Sequence, residues 1–266
     1  LLVIIDIDEE SLAAEGRWPW GRNKIEDLLD ALFERYDIAI IGFDVVFAEP
    51  DDSSGLGVLQ SLAEGEFNDD DRFRNKVDEL DKVLNYDNRL AGAIAGRAVV
   101  LGFVFNTQGT KTGVLPSPIF KAGSFKGRNI PFKMGNGYAA NLALFQNVAF
   151  GAGHFNPVVD KDGIVRRIPL LYEYDGAIYE ALSLAIARAV LGVDTVTPGY
   201  VDESKSDKYA GLEWLQLGEV DIPVNRHVMA LVPYRGPQKS FPYISATDVI
   251  NGKADPAALK GRVALL

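Results

Sequence analysis

The chain has no cysteine, so disulfides, thiolate metal sites and cysteine nucleophiles are all excluded. That absence leaves the compartment open, though it suits a bacterial domain outside the cytoplasm that never has to manage stray thiols. Histidine is almost as scarce. His154 and His227 are the only two, too few for a multi-histidine zinc site, and each reads as a structural or surface residue. Positive charge is in deficit, with 27 Lys and Arg against 37 Asp and Glu, for a formal net charge of −10. Nucleic-acid binding depends on clustered cations that neutralise phosphates, so no nucleic acid is expected as a partner. No stretch reaches the roughly 18 apolar residues that cross a bilayer, and no basic segment leads into an apolar one at the start. A Gly-x-Ser-x-Gly elbow and a P-loop are missing too.

What is present is ample for a packed core. The 266 residues, 47% apolar and 24% charged, fit one large globular domain or a domain with a substantial insertion. The chain opens inside a strand pattern at Leu1 and stops inside another at Val263-Ala264-Leu265-Leu266. Both ends are therefore expected to be cuts in a longer protein.

Periodicity organises the first third. An apolar run to Ile7 reads as a strand. Ile25, Leu28, Leu29, Leu32, Phe33 and Tyr36 then recur at helical spacing, with Asn23 as the expected N-cap. The run Ile38 to Phe43 reads as a strand covered on both faces. Glu49 to Asp71 reads as a polar loop, Phe73 to Ile94 as one helix, and Ala98 to Phe105 as a third strand. Residues 1–105 thus predict a βαβαβ, doubly wound α/β core.

Residues 106–147, rich in Gly, Pro, Lys and Ser, read as an irregular insertion. Residues 148–266 read as a β-rich part that returns to the core and completes a mixed sheet. Within it, Asp160-Lys-Asp-Gly163 and Asp175-Gly176 supply hairpin turns. A helix is predicted over Tyr179 to Leu191, closed by Gly192. Short strands are expected at Leu212–Leu217, Val220–Val224 and Val228–Tyr234, then a helix from Ser245 to Ile250 and a strand from Arg262 to Leu266.

Two strands deliver acidic groups at their carboxyl ends: Asp6, Asp8, Glu9 and Glu10 after the first, Asp44, Glu49, Asp51 and Asp52 after the second. Ligands of open α/β sheets usually bind in the crevice there. A metal-dependent phosphohydrolase would use Asp6 and Asp8 as nucleophile and proton carrier beside magnesium, but Glu10 and the missing later Lys and paired Asp break that pattern. A divalent cation on Asp8, Asp44, Glu49 and Asp51 is a second alternative, without EF-hand spacing. The plainer expectation is that such carboxylates cap helices and loops, with no metal and no cofactor. Gly135-Asn-Gly137-Tyr-Ala-Ala140 has dinucleotide-loop spacing but not its strand-and-helix context, and reads as a turn. Between the acidic strands, Trp18-Pro19-Trp20 forms either a rigid lid on the sheet edge or a ligand platform, with Arg17 and Arg22 as anion donors. The candidate ligand set is Asp8, Arg17, Trp18, Trp20, Asp44 and Glu49.

Several blocks together resemble a known family. They are Val3-Ile-Ile-Asp-Ile-Asp-Glu-Glu-Ser-Leu12, Gly16-Arg-Trp-Pro-Trp-Gly-Arg22, Ile41-Gly-Phe-Asp-Val-Val-Phe-Ala-Glu-Pro-Asp51, Gly153-His-Phe-Asn-Pro157 with Asp162-Gly-Ile-Val-Arg-Arg-Ile-Pro-Leu170, and Pro233-Tyr-Arg-Gly-Pro237. In this order they resemble the CHASE type 2 domain, named for cyclases and histidine kinases associated sensory extracellular, and the likeness extends to Leu259–Leu266. It implies a sensory segment on the extracytoplasmic side of a bacterial cell membrane, without catalysis of its own. Transmembrane helices outside this chain would flank it. Behind them the resemblance implies a cytoplasmic output module, most often an adenylate or guanylate cyclase, otherwise a histidine kinase, another kinase or a diguanylate cyclase. The expected partner is a small molecule or protein ligand, and a homodimer would suit paired output modules. A purely structural dimerisation domain is the remaining alternative.

Overall fold

A computed structural model describes residues 2–200, 211–237 and 240–266. Leu1, where the first apolar run begins, lies outside them. Strand β1 (Leu2–Asp6) buries Val3 and Ile5 fully and leaves Leu2 and Ile4 half-buried, so its two faces are unequal from the start. Helix α1 (Glu9–Glu15) follows, then α2 (Arg22–Asp30), which a π-helical turn at Ala31–Arg35 prolongs. That turn carries the apolar stripe on to Leu32 and Tyr36. Asn23 lies inside the first turn of α2 and does not cap it. Gly21 is the N-cap, and the carboxylate of Asp51 accepts from the amide of Arg22. Strand β2 (Ile40–Phe43) is buried throughout.

The segment 49–71 is not all loop. It contains α3 (Leu56–Glu64), which buries only Leu56 and Ala63, too few positions to mark a helical period. The helix expected over 73–94 is two helices, α4 (Asp71–Leu84) and α5 (Tyr86–Ile94). They part at Asn85, whose side chain accepts from the Asn88 amide at 3.1 Å and starts the second helix. Strand β3 (Val99–Asn106) ends the opening unit.

The irregular segment supplies β4 (Lys111–Thr112), β5 (Lys133–Met134), β6 (Gly137–Ala139) and α6 (Ala143–Gln146). Beyond it come β7 (Gly151–His154), β8 (Arg167–Pro169), β9 (Leu171–Tyr174), β10 (Ala177–Glu180), α7 (Leu182–Leu191) and β11 (Thr197–Tyr200). The chain closes with β12 (Leu212–Leu217), β13 (Val220–Pro223), β14 (Met229–Leu231), β15 (Tyr243–Ser245), α8 (Ala246–Ile250), α9 (Pro256–Leu259) and β16 (Val263–Leu265). Asp175 and Gly176 turn the β9–β10 hairpin with φ of 52° and 74°. The Asp160–Gly163 turn forms, but its flanks make only one bridge, between Val158 and Arg167. Instead β7 runs parallel to β3, and β8 pairs with β14.

The α/β fold is built on an eight-stranded mixed sheet. Strands β15, β1, β16 and β2 lie side by side up to β3, which also pairs with β7 and, antiparallel, with β6. Every crossover from β1 to β2, β2 to β3, β3 to β7 and β15 to β16 moves the same way across the sheet. Parallel crossovers keep one hand, so their helices are driven to one face. There α2, α5, α6 and α8 close the largest core around Val3, Ile5, Leu28, Ile41, Phe43 and Phe103. The return from β7 to β15 runs the other way and puts α7 on the opposite face, where Leu182, Ala185 and Ile186 meet Ile40 and Val100.

Helix α7 sits very close to the sheet. A Cβ on Gly42 would lie 2.4 Å from Ile186 Cδ1, and one on Gly153 would lie 2.5 Å from the Leu182 backbone. The other side of α7 gives Leu184 to a separate core with Leu171, Ile178, Leu212 and Leu215. At about 15 Å long and one helix wide, α7 cannot cover the whole sheet. Among the described residues, none covers this second face fully over β1 and β16.

Candidate functional site

The sequence-derived candidate residues do not converge on one site. Asp8 caps α1, its Oδ1 accepting from the Ser11 amide at 2.9 Å and from the Ser245 hydroxyl at 2.8 Å. Partial burial pushes its carboxyl up, but these bonds outweigh that and hold it below the usual value. Ser11, fully buried, in turn accepts from the Thr247 amide, so the group joins α1 to α8. That is a structural role. It leaves the phosphohydrolase alternative without a free Asp8.

Trp18, Trp20 and Glu49 do come together, lining a cavity of about 470 Å³ with Arg22, Val45 and Asp51. Trp20 is 3% exposed and donates its indole N–H to the Gly16 carbonyl at 2.8 Å. Trp18, 38% exposed and preceding a cis proline, meets it edge-on with centroids 6.0 Å apart. Arg22 is held in place by the Glu49 carbonyl at 3.1 Å, by Asp87 at 3.6 Å and by the Phe47 ring at 4.7 Å. Burial raises the carboxyl of Asp51, but its bonds from Ser53 and Arg22 prevail and keep it low. Arg22 and Asp51 thus serve mainly to hold this part of the fold, whereas the Glu49 carboxylate is exposed and has no hydrogen-bond partner among the described residues. Arg17 is exposed and does not line it.

Asp44 belongs elsewhere. It faces a larger cavity of about 550 Å³ on the open side of the sheet, floored by Leu2, Ile4 and Leu265 and walled by Ile168, Leu182 and Ile186. Asp44 is exposed at the rim of this cavity, its carboxylate has no hydrogen-bond donor among the described residues, and the adjoining apolar walls push its carboxyl somewhat above the ordinary range. Ser183 lines the same space and is exposed. Asn156 also borders it, but its amide is committed to the Phe105 backbone at 2.9 and 2.7 Å. His154 borders the cavity, while its ring packs against Phe103, Phe105 and Tyr172 on the helix-rich side. Neither ring nitrogen has a hydrogen-bond partner among the described residues, and burial pushes its pKa down to about 3.

Sequence reasoning missed this cavity apart from Asp44. Its lining comes from β1, the end of β2, the segment after β7, β8, the start of α7 and β16, and no local motif links them. The one available signal was that β1 and β16 are apolar on both faces while, among the described residues, α7 is the one return helix on the second. For the cation alternative, Glu49 and Asp51 share the tryptophan cavity, while Asp8 and Asp44 lie apart from it and from each other. Among the described residues, no three Asp, Glu or His side chains gather as a metal site requires.

No helix among the described residues is long and apolar enough to cross a membrane. No curated protein and no solved structure matches the chain. The sequence model of one family, described as the CHASE2 domain, matches residues 2–266. With that coverage, the chain belongs to the CHASE2 family, whose members are sensory extracellular domains of signalling receptors and not enzymes.

Proposed function

We propose that this chain is the extracytoplasmic input domain of a bacterial transmembrane receptor and relays binding of a small molecule or protein to a cytoplasmic output module, foremost an adenylate or guanylate cyclase. The observation that carries the reading is the family match over residues 2–266. Two further features support it. The carboxylate of Asp8 and the indole N–H of Trp20 are engaged in holding the fold, so the Asp6 and Asp8 pair of the phosphohydrolase alternative lacks a free Asp8. Helix α7, which joins the open sheet face to the second core, is placed to feel an occupant of one and move the other. Signalling of this kind needs an occupant that prefers one arrangement over another, because only differential affinity shifts a population. Membrane helices outside this chain would carry the shift, and a homodimer would bring two output modules together.

The test has two arms. Fusing alkaline phosphatase to the carboxyl end of the full-length protein's sensor segment reports sidedness, and activity only after export is expected. Membranes containing the full-length protein should form cyclic AMP or cyclic GMP. An inactive phosphatase fusion overturns the extracytoplasmic placement, and a full-length protein that forms neither nucleotide overturns the cyclase assignment.

A further inference from the structure

We propose that the cavity over β1 and β16 binds an apolar compound carrying one cationic amine, its hydrocarbon body on Leu2, Ile4 and Leu265 and its ammonium against the carboxylate of Asp44. This deepens the sensory reading, on which its physiological meaning rests, while binding itself stands or falls separately.

The first argument is coverage. Parallel strands are normally shielded on both faces, and here the outward residues of β1 and β16 remain half-buried beside α7. An occupant completes that shielding. At about 550 Å³ the space lies within the roughly 300–1,000 Å³ typical of small-molecule sites. The second argument is charge. Among the described residues that line it, Asp44 is the one acidic side chain, and none of them is a lysine or arginine. His154 turns its ring to the other face. The carboxylate has no donor among the described residues and stands exposed at the rim of the apolar walls, where an ammonium whose hydrocarbon body lies on those walls reaches it and supplies N–H bonds. An anionic compound meets repulsion at Asp44, and a neutral one leaves it unpaired. Ser183 offers a second, uncommitted hydroxyl at the mouth.

Decylamine, 1-decanol and decanoate share one hydrocarbon body and differ in the head, so calorimetric titration of the 266-residue chain with each separates body from charge. Decylamine is expected to bind about tenfold more tightly than decanol, the gain of a hydrogen-bonded charge, with decanoate weakest. Asp44→Asn should remove that advantage and leave decanol unchanged. Ser183→Trp, at an exposed position, should block all three without loss of thermal stability. Equal affinities, decanoate binding most tightly, or binding that survives Ser183→Trp each overturns the proposal. So does a chain that ignores all three compounds and instead dimerises in sedimentation through a contact that Ser183→Trp abolishes, which makes the face a protein interface. Binding as expected with no effect on cyclic nucleotide formation by the full-length protein upholds the site and counts against the sensory reading. An output that responds to amines through a chain that does not bind them overturns the site alone.

Discussion

The cavity beside Trp18 and Trp20 and the cavity beside Asp44 diverge from one short stretch of chain after β2, yet they are opposites in chemistry. Val45, Val46 and Glu49 turn toward the tryptophans, whereas Asp44 turns to the open face of the sheet. In the first cavity Arg22 and Asp51 are paired with neighbours, and the carboxyl of Asp51 is held low. In the second the exposed carboxyl has no donor among the described residues and is raised. A carboxylate whose bonds are made within the fold stabilises the fold. One left without donors against apolar walls costs the fold a little and is available to a ligand.

The comparison breaks most sharply at Trp20. Trp20→Ala should cost ~3–5 kcal/mol in urea unfolding, since it empties a buried indole site and frees the Gly16 carbonyl, while decylamine still binds the folded fraction. Lost binding at full folding would mean the two regions are one site.

Next in size is the wall behind the pocket. His154 has a folded pKa of about 3 against an ordinary 6.5, so below pH 6.5 the unfolded chain takes up a proton that the folded chain refuses. Stability is fully present above 6.5 and should fall by ~1.4 kcal/mol per pH unit toward 3 from this group. The difference between wild type and His154→Phe across that window isolates it, and a constant difference would refute the buried neutral ring.

Smaller effects set the two carboxylates against each other. Asp51→Ala should cost ~1–2 kcal/mol at pH 7 through the lost cap on α2. Because the folded pKa of Asp51 lies below its unfolded value, that stabilisation is present above about pH 4 and disappears as pH falls through the folded pKa. Asp44 has the opposite sign. Its raised folded pKa means the wild type loses stability as pH rises past the unfolded value, so Asp44→Asn should equal wild type near pH 3 and be slightly more stable at pH 7. Water at the pocket mouth screens the effect, which should stay within ~0.5 kcal/mol. Thermal melts at the two pH values check both, and a destabilised Asp44→Asn at pH 7 would show that Asp44 has a structural partner.

Much of the fold was legible locally. The stripe of α2, the buried run of β2, the Asp175-Gly176 hairpin and Gly192 in the left-handed region at the end of α7 each follow from a short-range rule. What was not legible depended on distant partners. Helix α3 buries too little to declare itself, and β7 joins the parallel sheet because β3 offers it an edge, although an adjacent turn signal pointed to a hairpin. The candidate site was half legible. Trp18, Trp20 and Glu49 line one cavity, although nothing local in the sequence links Glu49 to the tryptophans, and Asp8 is a cap bonded to Ser245, 237 positions away.

By itself the sequence determined the α/β class, the absence of thiol and multi-histidine chemistry, the acidic strand ends and, through blocks in a fixed order, the family. These are properties of composition and of neighbours along the chain. Only the tertiary structure decided which carboxylate is engaged and which is left open. Crossovers of one hand stack most helices on one face, α7, the one return helix among the described residues, is too narrow for the other, and the strip it leaves falls beside Asp44.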